Sequence, residues 1–307
     1  MEKECRQSLL VMKFGGTSVG GARPIERVAE LVERYKREGN NLIVVVSALR
    51  GVTDSLIKIC EYIDDFNDSE RDLGLEDIFY KHLEVASRLH LPDPLVQSLD
   101  NKIEALFSEL QLEALINVPV TPERSDKILS FGERFIVRMM ETKLNSRGVL
   151  AEAVDGFNLI ETNDNFGEAE PDLEKTTKYV GDYLLPMLKD GITPIVTGFI
   201  GATRYGKITT LGRGGSDYTA SILGQVLHAD EVWIWTDVDG IYDVDPRYNP
   251  DAEILAELSQ YRAHYMARNG AKILYPKTLE PLMGTDIVLR VKNTFNPDSE
   301  GSRIIHK

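Results

Sequence analysis

Long apolar runs are missing from this 307-residue chain, and none approaches the ~18 residues needed to span a bilayer. Cysteine is nearly missing too. Cys5 and Cys60 have no spacing to each other, or to a histidine cluster, that would suit a disulfide framework or a zinc site. The five histidines (82, 90, 228, 264 and 306) are scattered with no HExxH-type pair, so each reads as an ordinary surface or core residue. Positive charge is also scarce: 35 Lys and Arg face 49 Asp and Glu, for a formal net charge of −14. That argues against nucleic acid or an anionic membrane as the main partner, since both require a basic face. The N-terminal "MEKECRQSLLVMKFGG" has too short an apolar stretch for a signal peptide and runs into a glycine loop rather than a cleavage site. The expectation is a cytoplasmic protein.

What is present is a β/α rhythm. Apolar, β-branched runs recur at 9–14, 41–49, 193–200, 231–238 and 286–293, and several lack period-2 alternation, as strands covered on both faces do. Between the first two, Ile25, Val28, Val32 and Tyr35 keep helical spacing, Pro24 suits a first turn and Gly39 marks a stop. Residues 54–147 are long, charged and helix-patterned, with "DDFNDSERDLGLED" (64–77) as a polar connection. After 148 the rhythm returns, with "GVLAEAV" (148–154) as a short strand, and "FNPDSEGSR" (295–303) reads as a loop before a short tail. The sum is an α/β protein with a mostly parallel sheet and a helical insertion in its first half.

Two glycine-rich loops stand at strand-to-helix junctions: "KFGGTS" (13–18) and "TTLGRGGSDYTASILGQVL" (209–227). Neither is a Walker A loop. "GRGGSD" (212–217) begins like GxGxxG but has Asp217 at the third glycine position, which undermines a Rossmann dehydrogenase, and the protein-kinase HRD and DFG signatures are missing. Glycines at such junctions let backbone N–H groups approach an anion near a helix N-terminus, here with Ser216 or Asp217 as a candidate cap. Each loop also embeds a cation, Lys13 or Arg213. One loop alone would be a turn; two with cations point to nucleotide phosphates.

A third sign lies in "DKILSFGERFIVRMMETKL" (126–144). Leu129, Glu133, Ile136, Met140 and Leu144 share one helical stripe, so Glu133 is a carboxylate set into an apolar face. Such a group is costly unless a cation meets it. The alternatives are a structural ion pair with Arg134 or Arg138, or a cationic ligand.

"VMKFGGTSV" (11–19) resembles the aspartokinase signature. "GFIG" (198–201), "TTLGRGGSDYTA" (209–220), "WTDVDGIYDVDPR" (235–247) and "GAKILYP" (270–276) resemble further aspartokinase blocks in the same order, across nearly the whole chain. The lysine-glycine loop alone would indicate only the wider amino-acid kinase superfamily. The resemblance implies a three-layer αβα sandwich without a P-loop, in one catalytic domain over 1–307. Residues of about 1–190 would form an amino-acid-binding lobe and those of about 191–307 a nucleotide-binding lobe. It implies transfer of the γ-phosphoryl group of Mg-ATP to the β-carboxylate of L-aspartate, opening the route to lysine, threonine, methionine and isoleucine.

By the same resemblance, Lys13 with Gly15 and Gly16 faces the transferring phosphoryl group, and Asp217 holds Lys13 through charge-assisted hydrogen bonds. Glu133 meets the α-ammonium of aspartate and Arg213 a carboxylate, with Ser47, Thr53 and Ser216 lining the pocket. Thr236, Asp237, Tyr242, Arg247, Lys272 and Ile273 serve the nucleotide. Magnesium arrives with ATP. The acidic run Asp237, Asp239, Asp243 and Asp245 lacks EF-hand spacing and reads as loop chemistry. Another amino-acid kinase, acting on glutamate or acetylglutamate, is the near rival; a catalytically silent binding module is the rival from another class. Aspartokinases usually continue into paired ACT-type modules after the segment matching "VKNTFNPDSEGSRIIHK", where this sequence stops. Feedback inhibition and a dimer through those modules are therefore not carried over, although a homo-oligomer remains compatible.

Overall fold

In the computed structural model, which describes residues 7–116, 118–244, 248–249, 251–269 and 274–306, the first apolar runs form β1 (Leu9–Phe14) and β2 (Asn41–Val46), joined by α1 (Ala22–Arg37). Ile25, Val28, Val32 and Tyr35 are buried, so the spacing read from sequence is the packed face, and Gly39 (φ 89°) turns the chain toward β2. The helical insertion follows as α2 (Val52–Asp64), α3 (Asp68–Ser87), α4 (Asp93–Ala114) and α5 (Pro122–Ser146). Next come β3 (Ala151–Val154), β4 (Glu161–Thr162), α6 (Leu173–Lys189), β5 (Thr193–Thr197), β6 (Ile200–Thr203) and β7 (Ile208–Thr210). The chain continues through α7 (Gly215–Val226), β8 (Glu231–Thr236), β9 (Glu257–Ser259), α8 (Gln260–Arg268), α9 (Pro276–Leu279), β10 (Val288–Asn293) and β11 (Ser302–Ile305).

Among the described residues, eight strands form one sheet in the order β3-β5-β2-β1-β8-β10-β11-β9, parallel except for the β10–β11 pair. The unalternating strands have a simple cause: each feeds two cores. Leu10, Met12 and Phe14 of β1, Leu42, Val44 and Val46 of β2, and Trp233 and Trp235 of β8 face a cluster built with α1 to α5. Val11, Ile43, Val45, Val232 and Ile234 face the opposite cluster with α6 to α9. This is a three-layer αβα sandwich with a mostly parallel sheet. By strand alternation Lys13 shares the side of Val11, the side of α7.

Three expectations are corrected. The polar stretch 64–77 is mostly helix: α2 runs to Asp64 and α3 starts at Asp68, where Asn67 caps it by accepting the Glu70 N–H (3.3 Å). Asp68, Glu70, Asp72, Glu76 and Asp77 are exposed on α3, while Arg71 is buried and pairs with Asp68 and Asp72. The run 193–200 is not one strand. It breaks at Gly198–Phe199, with Phe199 at φ 70°, and the chain moves to a separate three-stranded sheet ordered β4-β6-β7. The stretch 295–303 is a loop only to Gly301; β11 begins inside it at Ser302 and pairs with both β10 and β9.

Candidate active site

Lys13 is the penultimate residue of β1, and its ammonium lies 2.6 Å from Asp217 Oδ1 in the first turn of α7. Both side chains are largely buried. The contact is an ion pair and lacks the alignment of a hydrogen bond, so Asp217 holds Lys13 by charge. Neither Ser216 nor Asp217 caps the helix as expected; Gly214 (φ 73°) takes that position, which leaves the Asp217 carboxylate for Lys13. Gly15 keeps the space beside the lysine open, since a Cβ there would sit 3.3 Å from Nζ. The Gly15 N–H donates to Trp235 O (3.4 Å), which ties this loop to the end of β8.

A cleft of about 510 Å³ opens next to this pair. Lys13, Ser47, Thr53, Glu133, Arg213, Ser216 and Asp217 all line it, from β1, the β2–α2 turn, α2, α5 and the loop and helix after β7. The seven residues expected for catalysis and acceptor binding are thus brought together. Lys13 and Arg213 share one cleft, as the two-loop reading required.

Glu133 sits on the packed face of α5, 3% exposed, with Ile136, Met140 and Leu144 fully enclosed behind it. The Ala48 N–H donates to its Oε1 (3.1 Å), while Oε2 is buried without a hydrogen-bond partner among the described residues. Arg134 pairs with Glu109 and Arg138 with Asp155, each at 2.7 Å, so the structural ion pair considered from sequence is made elsewhere. Burial pushes the Glu133 carboxyl up to about 8, opposed by the Ala48 N–H and the charge of Lys13. Arg213 stands exposed between Gly212 (φ 75°) and Gly214, and it has no ion-pair or hydrogen-bond partner among the described residues. The cleft therefore presents an unmet carboxylate oxygen and an unmet guanidinium.

Thr236 and Asp237 lie at the C-terminal end of β8, where open parallel sheets bind ligands. Thr236 donates its hydroxyl to Asp237 (3.2 Å), and Tyr242 bridges to Ile254 in the following loop. Neither these three nor Gly15 and Gly16 line the cleft around Glu133. Asp239 accepts from Asn293 and Asn296, and Asp243 from the Val244 and Glu253 N–H groups, so both acids organise loops. Asp245, Arg247, Lys272 and Ile273 lie outside the described residues. Cys60 is buried, and burial raises its thiol to about 11.

Residue-by-residue reading missed Asp126, Phe166, Phe199 and Thr210, which also line the cleft. Asp126 had a signal: it lies seven residues before Glu133 on the same helical face, one step beyond the start of the stripe at Leu129. Phe166, Phe199 and Thr210 come from turns and strand ends, where spacing says nothing about direction.

The sandwich thus carries a lysine-centred cleft beside two glycine loops, neither of them a P-loop. The chain belongs to the Amino acid kinase family, whose profile matches residues 8–293. It is 36% identical to lysine-sensitive aspartokinase 3 of Escherichia coli (strain K12) over 299 residues, covering 97% of this chain and 64% of that protein. It is 30% identical to the aspartokinase of Rickettsia prowazekii (strain Madrid E) over 301 residues, 98% of this chain and 55% of that protein. The crystal structure of E. coli aspartokinase III in complex with aspartate and ADP (R-state) superposes with a TM-score of 0.89 at 35% identity, covering 97% of this chain and 65% of that one. The chain therefore spans less than two thirds of the length of these relatives.

Proposed function

We propose that the chain is the catalytic unit of an aspartate kinase, transferring the γ-phosphoryl group of ATP to the β-carboxylate of L-aspartate to give 4-phospho-L-aspartate. The observation that carries this reading is the pairing, in one cleft, of the unmet Glu133 oxygen with the unmet Arg213 guanidinium. An acidic α-amino acid brings the complementary charges: an ammonium for Glu133 and a carboxylate that suits the guanidinium fork. Ser47, Thr53 and Ser216 offer hydroxyls to the same cleft. The relative crystallised with aspartate and ADP supports the same assignment.

In the reaction, an oxygen of the β-carboxylate attacks the γ-phosphorus while the bond to the bridging oxygen of the ADP leaving group breaks. The attacking carboxylate is already ionised at neutral pH, so no base is required and Asp217 serves only to hold Lys13. The obstacle is charge, because one anion must approach another. Catalysis of this kind is chiefly positioning plus stabilisation of the equatorial oxygens, and the Lys13 ammonium beside the Gly15–Gly16 backbone suits that task. Magnesium would accompany ATP, held by phosphate oxygens and water, and would spread the same charge. In this reading residues before about 190 supply most of the acceptor side, and Thr236, Asp237 and Tyr242 serve the nucleotide. A cytoplasmic location fits these substrates.

The test is an acceptor screen with ATP and hydroxylamine, which traps an acyl phosphate as a hydroxamate. Aspartate is expected to lead glutamate by the roughly 10- to 200-fold that one methylene commands in a fitted pocket. Glutamate or N-acetylglutamate ahead of aspartate would overturn the assignment.

A further inference from the structure

Resting on the acceptor reading above, we propose that Asp126 is a positioning residue that fixes the span between Glu133 and Arg213, and thereby the length of amino acid the cleft accepts. Asp126 is 1% exposed and has no cation paired with it among the described residues. Its Oδ2 accepts from the Gly167 N–H and the Thr210 N–H, each at 2.8 Å, and its Oδ1 accepts from the Thr210 hydroxyl, also at 2.8 Å. Burial still raises its carboxyl above the usual range, against the pull of those three donors. A buried carboxyl held by three donors, with no cation beside it among the described residues, calls for a reason.

The reason lies in what the three bonds join. Asp126 and Glu133 are two turns apart on one face of α5, so the helix fixes one to the other. Thr210 is the last residue of β7, three before Arg213. Gly167 supports the same arm from the side: a Cβ on Gly212 would meet Gly167 O and Glu168 Cγ at 3.1 Å, and the Ala169 N–H donates to Thr210 O (2.9 Å). Two routes therefore run from Asp126 to Arg213, one along the strand end and one through the 167–169 turn. The receptor for the ammonium and the receptor for the carboxylate are held to a common anchor.

The experiment compares wild type, Asp126→Ala, Asp126→Asn and Thr210→Val. Calorimetric affinities for aspartate, glutamate and ADP would be measured with turnover on both amino acids. Loss of charged hydrogen bonds in Asp126→Ala is expected to weaken aspartate at least about tenfold and to shrink its preference over glutamate, with ADP changed less than about twofold. Asp126→Asn can offer its oxygen to the two N–H groups and donate to the Thr210 hydroxyl, so it should stay within about threefold of wild type. If Asp126→Ala does not fold, Thr210→Val, which removes one donor and keeps the shape, must weaken aspartate about threefold with ADP unchanged. Folded variants with unchanged aspartate affinity, or with aspartate and ADP weakened equally, would overturn the positioning role alone. A wild type that neither binds nor phosphorylates aspartate would overturn the acceptor reading and this inference together.

Discussion

Glu133 carries one carboxylate oxygen that nothing in the described structure satisfies, and a proton is the cheapest partner available while the cleft is free of ligand. With its carboxyl at about 8 against an ordinary 4.5, the folded chain holds a proton that the unfolded chain has released between those values. The sign follows: this residue favours the folded state below about pH 4.5 and loses that contribution as pH rises to about 8. An ammonium ligand requires the ionised form, so aspartate binding should release a proton. Its apparent affinity should therefore strengthen by up to about tenfold per pH unit below about pH 8. Glu133→Gln should remove both dependences at once. At pH 8 the variant should melt at or above wild type while binding aspartate much more weakly, and the gap in melting temperature should close toward pH 5. Melting curves and calorimetry across pH 5 to 8 check this. An equally steep pH dependence in the variant would place the titrating group elsewhere.

At the scale of the element, α7 decides whether the site assembles. It lies on backbone: a Cβ on Gly198 would sit 2.5 Å from Ser216 Cβ, and one on Gly224 would sit 2.4 Å from Val232 Cγ2. The first contact sets the height of the turn that carries Ser216 and Asp217. Gly198→Ala should therefore destabilise the protein by about 1–3 kcal/mol, typical of overpacking, and also lower kcat as Asp217 moves relative to Lys13. Denaturant titration and steady-state rates test the pair; a stability loss with kcat intact would mean that α7 moves without disturbing the ion pair. The "GFIG" block (198–201) stood out only by its resemblance, and a one-dimensional pattern could not show which helix presses on Gly198. The same limit explains the capping error. Asp217 stands where a cap is expected, yet a left-handed glycine two residues after Gly212 performs that role and leaves the acid for Lys13. Glu133 was legible because helical periodicity makes a misplaced carboxylate conspicuous. Asp126 lay on the same helical face, but its role was not legible, because two of its three donors, the Gly167 and Thr210 N–H groups, are backbone and carry no signature in residue type.

For the whole molecule, the sheet order joins what the chain separates. β5, from the second half, lies between β3 and β2, and β8 lies directly beside β1. Both cores also share the central strands. Unfolding followed by fluorescence of Trp233 and Trp235, which sit mid-sheet, and by far-UV circular dichroism should therefore give coincident transitions. Two separated transitions would show that the halves melt independently. Parallel strands were readable because double coverage leaves continuous apolar runs. The short strands β9, at the sheet edge, and β11 beside it, with the small sheet of β4, β6 and β7, were not, being too short and too dependent on their neighbours to stand out. Alternation along β1 has a further consequence. Were this strand to pair one residue out of step with β2 and β8, the ammonium of Lys13 would enter the tryptophan-rich core and the ring of Phe14 would turn toward the substrates. Such a misfolded species could neither pack nor form the cleft, so the aliphatic side chains that set the register of β1 also fix which way Lys13 points.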